Sequence, residues 1–306
     1  MFVLFGTERN DYKMLDKPTW QQRIFGIVNG SIMIILMIVM FYPVWYVFCA
    51  SFSNANEFIA YDGVLLLPIK PTIAAYEGAF RHPLIFDSYL NTLFIVIVGT
   101  ALSTILTAIA AYFMSRKNVF FKRPISLMII FTMYFNGGLV PLYLIVKNLG
   151  LLDSIASLIL PSLLSVYNIV VMRAGFDSLP DSIEESAKID GAGHIIILFR
   201  ILLPIVLPTV AVIILYYGVS YWNAWFNASI FMKSRNKFPL QLVLRQILLE
   251  NETNEMSSGI DTGDQMALSE TIKHAVTMIA TIPVLCLYPL LQKYFIKGIM
   301  IGAVKG

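Results

Sequence analysis

The stretch EESAKIDGAG, residues 184–193, is the most charged segment in the second half of a strongly apolar chain. One long apolar run ends just before it, and another begins just after it. Of the 306 residues, 58% are hydrophobic and 13% are charged, which is about half the charged share of a typical soluble domain. Because so little charge cannot cover a water-facing surface, the composition predicts an integral membrane protein.

Outward from this segment, six apolar stretches are long enough to cross a bilayer as helices, which takes about 20 residues each. Their bulky side chains do not fit the alternating pattern of an outer-membrane β-strand. We therefore predict an all-α integral membrane protein, with an N-terminal segment at 1–23 and one transmembrane domain at 24–306. Its six transmembrane helices are predicted at about 24–49, 89–114, 125–146, 155–176, 203–231 and 272–291, and a polar loop at 177–202 joins the fourth to the fifth.

Two local features refine this arrangement. Gly137, Gly138 and Pro141 predict a kink or a close helix approach in the third span. In the long connection before the sixth span, the sequence PLQLVLRQILLE at 239–250 predicts an amphipathic helix along the outer surface.

The positions of Lys and Arg predict the orientation, because the cytoplasmic loops of membrane proteins are rich in both. Segments on one side of the bilayer hold 14 of the 22 basic residues, and segments on the other side hold 8. The short loop 115–123 has four basic residues and no acidic residue. We therefore expect this loop, the loop 177–202 and both termini to be cytoplasmic. A cleaved signal peptide fits less well, because the first apolar stretch exceeds the usual core of about 7 to 15 residues.

Several kinds of chemistry have no sign in the sequence. There is no G-x-x-x-x-G-K-[ST] loop for ATP, and the three histidines (His82, His194 and His274) are predicted on both sides of the bilayer, where they cannot form one metal site. No span has an acidic residue near its centre, which disfavours an ion-driven secondary carrier without excluding it. A membrane-embedded enzyme, the other alternative, would need a polar catalytic cluster on one side. We expect no catalytic residue, no metal site, no cofactor in this chain and no nucleic-acid partner.

The polar loop has the local signals of a short helix. Pro180 precedes Asp181, a good N-cap residue, and Glu184 three positions later completes a capping-box pattern. Gly191 then predicts the helix end, so the helix is expected at 182–190. A helix of about two turns is unstable alone in water. It packs either on this chain's own helix ends or in a groove of a cytoplasmic partner, and the residues alone leave both possibilities open.

The order E-S-A-x-x-D-G-A, followed by L-P, runs through this loop in Glu185, Ser186, Ala187, Asp190, Gly191, Ala192, Leu203 and Pro204. It resembles the EAA loop of permease subunits of binding-protein-dependent ABC importers, with Ser186 in place of the second alanine. The C-terminus from Gly298 onward is similar to that of maltose-type permeases. The sequences FNGGLVPLY at 135–143 and YWNAWFN at 221–227 resemble the subgroup that imports larger oligosaccharides in Gram-positive bacteria. The resemblance covers nearly the whole chain, in order.

This resemblance implies the type I ABC importer permease fold and a multi-pass transport subunit of the bacterial cell membrane, without enzyme activity of its own. The short helix is then a coupling helix that lies in a cleft of an ATPase subunit, and Glu185 is expected to make a polar or ionic contact that keeps the loop stiff. The expected substrate is an oligosaccharide or a polysaccharide fragment, with a non-sugar solute as the alternative. The implied coupling residues are Glu184, Glu185, Ser186, Ala187, Asp190, Gly191, Ala192 and Pro204.

The resemblance also implies a set of partners. A second homologous permease would form a heterodimer with this chain. Two ABC ATPase subunits would bind ATP and Mg²⁺, and an extracellular solute-binding protein would deliver the substrate. The remaining expected partner is the lipid bilayer.

Aromatic and amide side chains on the predicted spans are candidates for a sugar pathway. Tyr217 and Tyr221 are four residues apart and share one helix face, with Asn223 just beyond. Aromatic rings stack on the C–H faces of sugars, amides bond the hydroxyl groups, and polar groups at this depth should avoid lipid. We therefore predict that Tyr217, Tyr221, Asn223 and Asn136 line the path, and Tyr217 in preference to Asn223 if only one does. The alternative for Asn136 is an interhelical hydrogen bond.

Overall fold

The computed structural model describes residues 19–117, 119–257, 268–286 and 289. All regular structure within these ranges is helical, which confirms the predicted all-α class. The helices are α1 (Trp20–Ser51), α2 (Ala55–Ile59), α3 (Ala74–Arg81), α4 (Ile85–Ser115), α5 (Lys122–Tyr134), α6 (Leu139–Asn148), α7 (Ala156–Ser162), α8 (Val166–Asp177), α9 (Asp181–Ile189), α10 (His194–Ile205), α11 (Leu207–Trp222), α12 (Trp225–Phe231), α13 (Leu240–Ser257) and α14 (268–286).

Two of these helices are long and apolar enough to cross a membrane alone, namely α1 with 32 residues and α4 with 31. Three pairs of shorter helices reach that length only together, because each pair is bent at a break. The bend is 115° between α5 and α6, 51° between α7 and α8, and 90° between α10 and α11. By length and composition, the described part of the chain therefore contains two to five spans. The predicted sixth span lies partly outside the described residues, and its described part is the helix α14.

The predicted kink in the third span is confirmed as a full break. α5 ends at Tyr134, and α6 begins after Gly138, whose φ of +86° is a left-handed conformation open to glycine. The prediction of one continuous helix at 203–231 is wrong. The chain breaks there at Val206, between Pro204 and Pro208, because proline has no N–H to continue the helical hydrogen bonding.

Helix α4 is the centre of the packed core and lies against α11 and α8. Its buried face carries small and hydroxyl side chains, which allow neighbouring helices to approach closely. A Cβ atom at Gly99 would lie 2.8 Å from the ring of Tyr221, so this ring packs directly on the glycine. The buried small residues of α4 are Ser88, Thr92, Gly99, Thr100, Ser103, Thr107, Ala108, Ala111 and Ser115.

Helix α1 differs from α4 because its apolar side chains are exposed along almost its whole length. Among the described residues, only the C-terminal end of α1 packs on other parts of the chain, where Cys49 and Ala50 lie against Leu65. The predicted start at residue 24 is late, since α1 begins at Trp20. Thr19 explains the difference, because it caps the helix in a capping box with Gln22. The rest of the predicted segment 1–23, up to residue 18, lies outside the described residues.

The predicted helix at 239–250 is confirmed as α13, which begins at Leu240. Its apolar side chains are buried against α4 and α12, and they include Leu242, Val243 and Ile247. The guanidinium carbon of Arg245 lies 3.8 Å from the ring centroid of Trp225, in a cation–π contact. This helix therefore covers one end of the bundle.

Candidate functional site

Helix α9 and its C-terminal turn form the loop that carries the EAA-like sequence. The helix spans Asp181–Ile189 and ends in a glycine turn. The N–H of Gly191 donates to the carbonyl of Lys188 at 3.0 Å, and the N–H of Ala192 donates to the carbonyl of Ala187 at 2.9 Å. Gly191 has a φ of +82°, which glycine adopts without a steric cost. The predicted short helix and its glycine end are therefore confirmed.

The predicted capping box at the start of α9 is wrong. The helix begins at Asp181 itself, Pro180 takes the N-cap position, and no side chain caps the first turn. The proline ring fixes the extended backbone there, and the Asp181 carboxylate forms an ion pair with Lys117 instead. Glu184 is also turned away from the helix end, toward Arg116. Both acids that were predicted to cap the helix thus attach it to the loop 115–123.

Glu184 is the buried acid of this loop, with 7% of its surface exposed. Its carboxylate forms ion pairs with the guanidinium of Arg116 and with Lys188 Nζ, the latter at 2.8 Å. The Arg116 guanidinium also lies over the ring of Tyr112, 4.9 Å from its centroid. This ion pair joins α9 to the end of α4, and removal of either partner would leave the other charge buried and unpaired.

Two further contacts fix the loop to the same end of α4. The hydrogen bond from Lys117 to Asp181 lowers the pKa of the Asp181 carboxyl and raises the pKa of Lys117. The Tyr112 hydroxyl and His194 Nδ1 lie 2.8 Å apart and form a hydrogen bond. The helices before and after the glycine turn are therefore both bonded to residues at this end of α4.

The other face of α9 is open. Glu185, Ser186 and Asp190 are exposed, and Ile189 has 86% of its surface exposed. In the described part of the chain, Glu185 forms no ion pair, and the ionic contact predicted for it is made by Glu184. Packing on this chain's own helices and packing on a partner thus concern opposite faces of α9. One face packs on this chain's own α4, and the other can still contact a partner.

The remaining predicted coupling residues take different positions. Ala187 is buried, and Ala192 is half-buried in the turn. Pro204 is exposed in the last turn of α10, before the bend, and is not among the residues that attach α9 to α4.

The sequence argument missed the four residues that hold this loop, because it used the basic loop 115–123 only to predict orientation. For Arg116 and Lys117 the available signal was charge complementarity with Asp181 and Glu184, two acids three positions apart. A cavity of about 520 Å³ lies between α4 and α9, and its walls include these side chains. The missed residues are Tyr112, Arg116, Lys117 and His194.

Tyr217 and Tyr221 point into the packed helices. Tyr217 is 3% exposed, its hydroxyl lies 2.7 Å from Thr107 Oγ1, and it accepts a hydrogen bond from the N–H of Ser165 at 2.9 Å. The Tyr221 hydroxyl lies 2.9 Å from Ser103 Oγ. The polar groups that should avoid lipid therefore find partners on α4 and at the start of α8, inside this chain.

Asn223 and Asn136 are exposed, and each lies at a helix break. Asn223 Nδ2 donates to the carbonyl of Val219 at 3.0 Å at the end of α11, and Asn136 Oδ1 accepts from the N–H of Gly138 at 2.9 Å before α6. The Val219 carbonyl also accepts the backbone N–H of Asn223 at 3.1 Å, so the Asn223 amide adds a second bond at the helix end, whereas Asn136 bonds an N–H at the start of α6. The structure does not bring the four predicted pathway residues together in one cleft.

A shallow cleft of about 250 Å³ opens beside Tyr217, which forms part of its wall. Tyr167 and Tyr216 lie in the cleft, with ring centroids 5.9 Å apart and with 51% and 42% of their surfaces exposed. Asn168 is buried in the same wall. The combination of aromatic rings and an amide that was predicted for Tyr217 and Asn223 thus occurs on these neighbouring residues. No group of three or more His, Cys, Asp or Glu side chains in the described ranges could hold a metal ion.

Broken apolar helices around an EAA-like loop define a membrane permease of the ABC importer class. Residues 72–301 match the family described as binding-protein-dependent transport system inner membrane component, and the chain belongs to that family. The resemblance to ABC importer permeases is thereby confirmed.

Individual proteins are similar over nearly the whole chain. The polygalacturonan/rhamnogalacturonan transport system permease protein YtcP of Bacillus subtilis is 38% identical, over 94% of this chain and 100% of that protein. Protein LplC of the same organism is 36% identical, over 93% and 96%. A chain in the crystal structure of a bacterial ABC transporter involved in the import of the acidic polysaccharide alginate superposes with a TM-score of 0.81. It is 32% identical, over 90% of this chain and 98% of that chain.

Proposed function

We propose that this chain is a permease subunit of an ATP-driven importer that carries an oligosaccharide or polysaccharide fragment across the bacterial cytoplasmic membrane. The observation that carries the proposal is the similarity over nearly the full length, in sequence and in fold, to a chain of the alginate transporter. The relation to YtcP supports the same class of substrate. In this proposal the chain has six membrane spans and cytoplasmic termini, as the positions of Lys and Arg indicate.

The proposed assembly contains a second homologous permease, two ATPase subunits that bind ATP and Mg²⁺, and an extracellular solute-binding protein. This chain itself needs no cofactor, has no catalytic role and binds no nucleic acid. ATP hydrolysis takes place on the partner subunits, and this chain supplies the path through the bilayer.

The open face of α9 is the proposed contact with an ATPase subunit. Glu185 and Ile189 offer a carboxylate and an apolar side chain on a helix with a fixed opposite face. Because Glu184–Arg116 and Tyr112–His194 tie the loop to α4, a displacement of α9 moves the central helix rather than deforming the loop. The coupling residues predicted from the motif thus divide into an outer set that meets the partner and an inner set that transmits its motion.

The proposed sugar path runs past the cleft that contains Tyr167 and Tyr216. Their exposed rings can stack on sugar C–H faces, while Tyr217 and Tyr221 hold the helices that carry the cleft. Asn136 and Asn223 remain candidates because both amides are exposed at breaks. Irregular backbone at membrane depth is tolerated only where protein or a water-filled cavity surrounds it.

Uptake by cells tests this proposal. A strain that lacks the gene for this chain should fail to take up radiolabelled oligogalacturonides or alginate oligosaccharides, and a copy of the wild-type gene should restore uptake of at least one of them. Glucose uptake is the control and should be the same in both strains. Unchanged uptake of every oligosaccharide in the deletion strain would argue against a sugar substrate.

A further inference from the structure

A second cavity, of about 660 Å³, lies beside loop 115–123 and shares Lys117 and Val119 with the cavity between α4 and α9. Four basic side chains line it, from the loop, from the start of α5 and from α8: Lys117, Lys122, Arg123 and Arg173. Two of them have carboxylate partners, since Lys117 pairs with Asp181 and Arg173 pairs with Asp177. In the described part of the chain, Lys122 and Arg123 have no such partner, so the cavity carries uncompensated positive charge.

The cavity wall also contains a polar group without a partner. Ser126 is 9% exposed, and its hydroxyl oxygen is buried without a hydrogen bond among the described residues. Buried hydroxyl groups in native proteins are usually bonded. A serine hydroxyl rotates its hydrogen toward whichever acceptor lies beside it, so Ser126 can serve as a donor in the cavity wall. The ion pair of Arg173 uses Nε, at 3.1 Å from Asp177, so its terminal nitrogens remain available as donors toward an anion.

The lining of the cavity also has an apolar, exposed part on α5. Leu127 lines it with 61% of its surface exposed, and Ile130 lies one turn further along α5. Phe120, with 83% of its surface exposed, lies in the loop beside the basic residues. A basic end joined to an exposed apolar helix face matches one ligand in two parts, a phosphate group and an acyl chain.

We propose that this cavity binds an anionic phospholipid of the inner leaflet, such as phosphatidylglycerol. The headgroup phosphate accepts hydrogen bonds from Lys122, Arg123 and Arg173, and an acyl chain lies along Leu127 and Ile130 on α5. The lipid thereby links α5 to α8 beside the coupling loop. This inference rests on the proposed function in one respect, namely that loop 115–123 lies on the cytoplasmic side of the membrane.

Native mass spectrometry of the full chain, purified with its co-expressed partner subunits, measures this binding. The probes are dioleoylphosphatidylglycerol, dioleoylphosphatidylcholine and inorganic phosphate. We expect Lys122→Gln/Arg123→Gln to weaken phosphatidylglycerol binding roughly 30-fold, at about 1 kcal/mol for each charge. The matched control Lys233→Gln/Arg235→Gln removes two exposed charges near the other end of the bundle and should leave binding unchanged. Equal losses in both variants, no loss in the first, or equal binding of phosphatidylcholine would overturn the proposal.

Photo-crosslinking of wild-type protein decides the question if the double variant fails to insert. A photoactivatable phosphatidylglycerol in nanodiscs should label peptides covering 119–130 and 170–177, and excess inorganic phosphate should not prevent it. Labelling elsewhere, or displacement by phosphate, would overturn the lipid assignment. So would labelling that disappears when the ATPase subunits assemble, because a protein would then occupy the cavity. Neither measurement requires transport. Sugar uptake without lipid binding would therefore refute only this inference. Lipid binding without sugar uptake would refute only the proposed function.

Discussion

At the scale of single residues, the two neighbouring acids of α9 have opposite surroundings. Glu184 is buried between Arg116 and Lys188, whereas Glu185 is exposed on the open face. The first acid therefore stabilises the loop within the chain. The second is free to meet a partner, so the two substitutions should affect different properties.

Glu184→Gln should lower the free energy of unfolding by about 3 kcal/mol, because it leaves the Arg116 guanidinium buried without its counter-charge. Glu185→Gln should leave stability unchanged and reduce ATP-dependent uptake. Thermal unfolding in detergent and uptake in cells measure the two effects. The double variant Arg116→Gln/Glu184→Gln should regain part of the lost stability. If the two single variants lose the same stability, the division into inner and outer acids is wrong.

Gly191→Ala should destabilise the loop by about 1 to 2 kcal/mol, because alanine at a φ of +82° meets its own backbone. Gly193→Ala is a matched control, since Gly193 has a φ of −74° and a Cβ atom at either position meets nothing within 4 Å. We expect the control to change stability by less than about 1 kcal/mol. Uptake and thermal unfolding of both variants measure the difference, and equal effects would contradict the conformational explanation.

The sequence predicted the helix and its glycine end, because both depend on residues close together in the chain. It did not predict the pairing of Glu184 with Arg116 or of Asp181 with Lys117. Each of these contacts joins residues more than 60 positions apart, and only the packing of α9 on α4 brings them together. The capping-box prediction failed for a similar reason, because Lys117, 64 positions away in the chain, binds the carboxylate of Asp181.

At the scale of whole helices, the breaks in α5–α6 and α10–α11 were only partly predictable. Gly137 and Gly138 marked the first break, but neither a glycine nor a proline fixes the size of a bend. Spans were predicted from the length and composition of apolar stretches. This criterion does not distinguish a bent pair of helices from one straight helix. The direction in which Tyr217 points was not predictable either, because it depends on which helix packs beside α11.

Tyr217→Phe should lower stability by about 1 kcal/mol, because it leaves Thr107 Oγ1 and the N–H of Ser165 without their common partner. Tyr216→Phe, one position earlier on the exposed side, should leave stability unchanged. Thermal unfolding in detergent separates the two variants. Tyr216→Ala should in addition raise the concentration of sugar needed for half-maximal uptake. If Tyr217→Phe keeps full stability and Tyr216→Ala transports normally, the assignment of these two rings is wrong.

At the scale of the whole molecule, composition and charge determine more than any single contact. The low share of charged residues indicates a bilayer around the helices, and the four basic residues of loop 115–123 favour a cytoplasmic position for that loop. The exposed apolar length of α1 is consistent with such surroundings. Loop 115–123 pairs with the proposed coupling helix α9 and borders the proposed lipid site, so the side of the membrane on which it lies affects both proposals.

Cysteine labelling tests this orientation directly. In a background of Cys49→Ala and Cys286→Ser, a membrane-impermeant maleimide should fail to label Phe120→Cys in intact cells and should label Arg235→Cys. Both positions are exposed on the chain, so a difference in labelling reports sidedness rather than burial. Permeabilised cells are the control and should show labelling of both. The reverse pattern in intact cells would invert the topology.

The most direct test of the whole account is sugar import into proteoliposomes that contain this chain, its sister permease and the two ATPase subunits, supplied with the binding protein. Wild-type complexes should import sugar only when ATP is present on the side of the ATPase subunits. Complexes with Gly191→Pro should insert and assemble but import no sugar, because the turn between α9 and α10 can no longer form. Import without ATP, or normal import by the Gly191→Pro complex, would contradict the claim that this loop couples ATP hydrolysis to transport.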